Sequence, residues 1–103
     1  CTVKVVLCNC SPAEAPELAQ ALVQEGFAAC VNVIPAVTSF YVWEGELKED
    51  VETTLIIKVA AERVAAMSER IHALHSYDTP EIVALDVDVE ATDPTYLAWV
   101  RGA

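Results

Sequence analysis

Apolar positions crowd both faces of the first ten residues instead of alternating with polar ones. Val3, Val5 and Leu7 fall on one face, Val6 and Cys8 on the other, the pattern of a strand covered from two sides. Thr2 to Cys8 is therefore expected at the centre of a sheet. The period then changes: Ala15, Leu18, Ala19, Leu22 and Val23 form a helical stripe that ends at Gly26. Ser11, Pro12 and Glu14 ahead of it have the spacing of a capping box with proline at the first helical position. Pro16 has no backbone N–H to give an inner turn, so regular helix is predicted from Ala15 or Pro16 to about residue 25.

From Ala28 the chain reads as extended again, broken at Pro35, which fits only an edge or a bulge, and resuming through Trp43. Glu44 and Gly45 supply a tight turn, and Val51, Thr53, Leu55, Ile57 and Val59 then alternate along one run from Glu46 to Ala60. A strand of that length, at about 3.3 Å per residue, outruns any sheet so short a chain can build, so the hairpin must project. Glu62 to His75 carries Val64, Met67, Ile71 and Leu74 at helical spacing. Glu81 to Glu90 alternates with Val83, Leu85, Val87 and Val89 on one face, and Asp93-Pro94 opens a short helix bearing Tyr96, Leu97, Trp99 and Val100. The order βαββαβ plus a terminal helix is the ferredoxin-like split βαβ arrangement of an α+β protein. In it the first strand lies between the third and fourth, and the end of the first abuts the beginning of the fourth.

Composition narrows what such a domain does. The 103 residues are 54% apolar with three glycines, which fits one compact domain with one core. A net charge of −10, from six basic against sixteen acidic residues, repels nucleic acid and anionic lipid and favours cationic ligands. No apolar run is long enough to cross a bilayer. The start, CTVKVVLCNC, reads as a strand and not as a signal peptide. Cys1, Cys8, Cys10 and Cys30 match neither zinc-ligand pairs nor a disulfide framework. Free thiols in the cytoplasm are the expectation.

Candidate chemistry gathers where the second helix hands over to the fourth strand, in HALHSYDTPEIVALDV, residues 72–87. The predicted topology brings Cys8, His75 and Glu81 to one sheet edge, with Cys10 beside Cys8 on the same strand face. Thiolate, imidazole and carboxylate together suit a soft or borderline divalent ion such as Cu(II) or Zn(II). The structural alternatives are a helix-capping His75, an inert buried Cys8 and a solvated Glu81; His72 reads as a surface residue. A thiol nucleophile with a histidine base has weaker support, because no third catalytic group and no glycine-rich cradle accompany it. Tyr41, Trp43, Tyr77, Tyr96 and Trp99 suit either a core or subunit contact or the walls of a small-molecule cleft.

Four blocks, AACVNVIP (28–35), SFYVWEGEL (39–47), YDTPEIVAL (77–85) and YLAWV (96–100), in this order and spacing resemble the CutA divalent-cation tolerance family over almost the whole chain. The resemblance implies a ferredoxin-like homotrimer joined by strand pairing between subunits, a role in tolerance of copper and other divalent cations, and no catalysis or organic cofactor. It also implies that Cys8 and Glu81 stand at proposed metal-ligand positions. The ligand histidine of some relatives falls on Leu74, while His75 matches a neighbouring histidine and Ser76 replaces a proline. The same architecture resembles PII signalling trimers, which implies an alternative role as a sensor holding a small molecule between subunits.

Overall fold

The computed structural model describes residues 2–77 and 79–103. Four strands, β1 (Val3–Cys10), β2 (Cys30–Trp43), β3 (Glu46–Ala60) and β4 (Val83–Asp86), form one antiparallel sheet in the order β2-β3-β1-β4. Helices α1 (Ala15–Gln24), α2 (Val64–Leu74, entered through a 3-10 turn, Ala61–Arg63) and α3 (Pro94–Gly102) complete it. The ferredoxin-like order expected from the chain is present, with β1 between β3 and β4.

Side-chain alternation on the central strands sorts residues between two unlike faces. Val6, Cys8 and Cys10, paired in register with Ile57, Leu55 and Thr53, point to the side where Leu18 and Leu22 of α1 and Met67 and Ile71 of α2 close the core. The opposite face takes Val5, Leu7, Asn9, Ile56 and, from β4, Val83 and Leu85. Val83 and Leu85 remain nearly half exposed there. Helices α1 and α2 cover the first side, and α3 lies against β1 and β3 with Val3, Ala60 and Val100 buried; the stretch of the second side around Val83 and Leu85 is left open, an apolar layer without a partner layer.

Local chemistry sets the breaks in these elements. Pro35 and Ala36 stand opposite Thr53 alone, so β2 bulges between Ile34 and Val37, with Ala36 in the left-handed region at φ 61°. Glu44 and Gly45 both take positive φ, the tight turn that follows the twist of a hairpin. Beyond the bulge the hairpin leaves the body as an arm, and the molecule measures 45 × 27 × 22 Å. Phe40, Val42 and Leu47 on the arm are 65%, 69% and 74% exposed.

The fourth strand is shorter than its alternation predicts, four residues instead of the ten from Glu81 to Glu90. Only Lys4 to Leu7 of β1 pair with it, and among the described residues its outer edge has no neighbouring strand. At Asp88 the backbone turns away: the carboxylate accepts the N–H groups of Glu90 and Ala91, and the Asp88 carbonyl accepts that of Thr92. The second helix also ends one residue early, and His75 caps it with its N–H on the Ile71 carbonyl at 2.7 Å.

Candidate functional site

Asn9, near the end of β1, is where the two sides of the sheet meet. Its backbone carbonyl lies 2.9 Å from Nε2 of His75 on the helix side. Its side chain faces the open side, where the amide nitrogen donates to Glu81 at 3.3 Å and the amide oxygen accepts the Thr54 hydroxyl at 2.8 Å. The expected convergence of Cys8, His75 and Glu81 on one strand end thus occurs, but the sheet separates them. Leu7 pairs with Val83, so two residues further the register sets Glu81 opposite Asn9, while Cys8 shares the buried face with Ile82. Among the described residues no group of three His, Cys, Asp or Glu side chains is arranged to hold a metal ion.

His75 is held by both ring nitrogens. Nε2 faces a carbonyl and must donate, which leaves Nδ1 to accept the Tyr77 N–H at 3.1 Å. Glu14 stands 3.3 Å from Nδ1 and accepts the Ser11 and Ser76 hydroxyls at 2.8 and 2.7 Å. The side chain of His75 is fully buried, so the ring ties α2, β1 and the following loop together. Burial alone would raise the Glu14 carboxyl, but the Ser76 and Ser11 hydrogen bonds outweigh it and hold it below the ordinary carboxylate range. A lowered carboxyl adds stability above its unfolded-state pKa and loses it as pH falls through the folded value. Glu14→Gln is therefore expected to flatten the acid limb of a stability profile below about pH 4.5, checked by urea unfolding at a series of pH values.

Cys8 and Cys10 are free thiols in the core. Burial, then the charges of Cys10, Glu81 and Glu14, push Cys8 up to about 12; burial, then Glu14 and Glu52, push Cys10 up to about 11. Neither thiol is ionised to any useful extent at neutral pH, so any metal they bound would have to displace a proton.

On the open side the arm and the loop after α2 enclose a cleft of about 500 Å³. Tyr41, Trp43 and Tyr77 supply its rings, and Asp50, Glu52 and Glu81 its carboxylates. Tyr41 donates its hydroxyl to Asp50, and Tyr77 donates to Glu52 at 3.3 Å. Burial, followed by the charge of Glu52, pushes the Tyr77 phenol up to about 12, so it remains a donor. Of the five aromatics singled out in the sequence, these three line the cleft, while Tyr96 and Trp99 pair with each other on α3 at 5.7 Å. Asn9 and Glu52 carried no sequence signal of their own.

The chain is thus a ferredoxin-like α+β domain with a partly open sheet face, a projecting arm and a cleft under it. The chain is a member of the CutA1 divalent ion tolerance protein family, whose profile matches residues 4–103. It is 45% identical over 84 residues to the divalent-cation tolerance protein CutA of Thermus thermophilus, covering 82% of this chain and 80% of that protein. It is 43% identical over 86 residues to the CutA homolog of Xenopus laevis, covering 84% of this chain and 56% of that protein, so the chain spans about half the length of that animal relative. Among solved structures, a PII-like protein CutA from Nostoc sp. PCC 7120 superimposes with a TM-score of 0.92 at 38% identity, covering 96% of this chain and 94% of that one.

Proposed function

We propose that the protein acts as a homotrimer in the cellular response to divalent cations, binding copper or another divalent metal without catalysing a reaction. One observation carries the assembly: among the described residues β2 and β4 are unpaired along their outer edges, beside a sheet face on which Val83 and Leu85 stay nearly half exposed. A closed ring of subunits covers the face and removes the edges without propagating a fibre. Membership of a divalent ion tolerance family supports the cation, and a net charge of −10 favours cations over nucleic acid as partners. Free thiols at Cys8, Cys10 and Cys30 support a reducing cytoplasmic location. Among the described residues no helix is long and apolar enough to cross a membrane, and no membrane insertion is proposed. No catalytic role is assigned to His75, whose ring nitrogens are both spent on backbone groups.

The candidate ligands are Cys8, His75 and Glu81, with Cys10 as a further one. Their chemistry suits Cu(II) or Zn(II), but their placement does not fit a ready-made site: Glu81 is bonded to Asn9 across the sheet from the two buried thiols. Calorimetry with Cu(II) on Cys8→Ala and Glu81→Ala tests the set. Loss of affinity beyond threefold in both variants is the expected outcome. Affinity unchanged within about threefold, or ~0.65 kcal/mol, would make these residues structural.

The cleft favours a second reading, a PII-like trimer that senses a small molecule. Its volume and mixed aromatic and polar walls are those of a small-ligand site, and the Nostoc relative carries the PII-like description. A thermal shift with small metabolites but not with metals would decide for this reading.

A further inference from the structure

We infer that the cleft between the arm and the loop after α2 is built for an organic cation, a ligand with an ammonium or guanidinium head and a short apolar body. The inference rests on the second reading above, that the cleft takes a small molecule, and names the class of that molecule.

Charge is the first argument. Asp50, Glu52 and Glu81 all line the cleft, and their partners within it are neutral: the Tyr41 hydroxyl, the Tyr77 hydroxyl and the Asn9 amide. No lysine or arginine lines it. Lys4 is paired with Asp86, Lys48 with Glu46 and Arg70 with Glu25; Lys58 donates to Asn32, Arg63 to the Ala103 carbonyl, and Arg101 lines a separate hollow beside α3. A cation that neutralises the cleft must therefore come from outside the chain.

Glu52 is the second argument. It is only 8% exposed, yet of its two carboxylate oxygens only Oε2 takes a hydrogen bond among the described residues. That donor, the Tyr77 hydroxyl, is neutral, and Glu52 lines the cleft. A carboxylate on a residue this little exposed is screened less than one on the open surface, so a positive donor in the cleft stabilises it more.

Ring chemistry selects an organic cation over a bare metal ion. The faces of Trp43, Tyr41 and Tyr77 attract an ammonium or guanidinium group while packing against its carbon body, and a cleft of about 500 Å³ is far larger than one ion needs. Ring faces offer a divalent metal no ligand atoms, and among the described residues the carboxylates of the cleft do not converge into a group of three that could hold one.

Calorimetry on the assembled protein tests the inference, with choline, benzylamine and agmatine as probes for quaternary, primary and guanidinium heads, and 3,3-dimethylbutanol as the uncharged isostere of choline. At least one cation is expected to bind saturably, with choline at least tenfold tighter than its isostere if choline is the binder. Glu52→Gln, which keeps the shape and removes the charge, is expected to weaken the bound cation at least tenfold while the variant elutes as the wild type does. Trp43→Leu supplies an independent loss of affinity should Glu52→Gln disturb assembly. Equal binding of choline and its isostere, or binding indifferent to both substitutions, overturns the inference. Saturable binding of ADP or glutamate with none of the cations overturns it and leaves the small-molecule reading standing. Binding of none of these compounds overturns both.

Discussion

Val42→Asp is expected to abolish soluble assembly. Val42 lies opposite Leu47 on the arm, and Phe40 and Val51 share that face; all four are more than half exposed within the chain. Contiguous apolar surface of this kind on a strand pair is a contact surface, and an interface covering it in every subunit should exceed ~2,000 Å². Burying an aspartate there without a partner costs at least about 3 kcal/mol per subunit, and closed symmetry applies the cost once for every subunit. Gln20→Asp adds the same charge on the exposed side of α1 and should leave assembly intact. Size-exclusion chromatography with light scattering reads both; a Val42→Asp variant with the wild-type mass would show that the arm is not the contact.

His75→Ala is expected to destabilise the metal-free protein by about 2–4 kcal/mol. The substitution strands the Asn9 carbonyl and the Tyr77 N–H, each an unpaired polar group at ~1–3 kcal/mol where buried, and leaves a cavity at a fully buried ring. His72→Ala on the exposed side of the same helix should fall within about 0.5 kcal/mol of wild type. Urea unfolding in the presence of a chelator separates structure from ligation. A stability loss without metal identifies His75 as the tie between α2 and β1, whereas unchanged apo stability with lost copper affinity would make it a ligand first.

Much of this fold can be read from the chain because its breaks are chemical. Pro35 cannot complete a ladder and the strand bulges there; Glu44-Gly45 tolerates positive φ and the hairpin turns there. The fourth strand misled because alternation reports which residues share a face, not how far a neighbour extends, and β1 offers partners only from Lys4 to Leu7. Which sheet face each residue of the candidate metal edge takes was not legible either. Cys8 and Glu81 do arrive at the same strand end, but a register shift of one residue separates opposite faces of a sheet, and Glu81 falls opposite Asn9 while Cys8 points into the core. Glu52 escaped notice because its meaning comes from tertiary contact: it sits 43 residues from Asn9 in sequence, and only the pairing of β3 with β1 and the return of Tyr77 enclose it.

The chain is expected to have no folded monomer and to meet divalent cations as an assembly. Native mass spectrometry with and without added Cu(II) tests both in one experiment. A species of three times the chain mass is expected in both samples, with a whole number of copper ions added on exposure to the metal. A folded monomer at micromolar concentration that takes up no copper would contradict it.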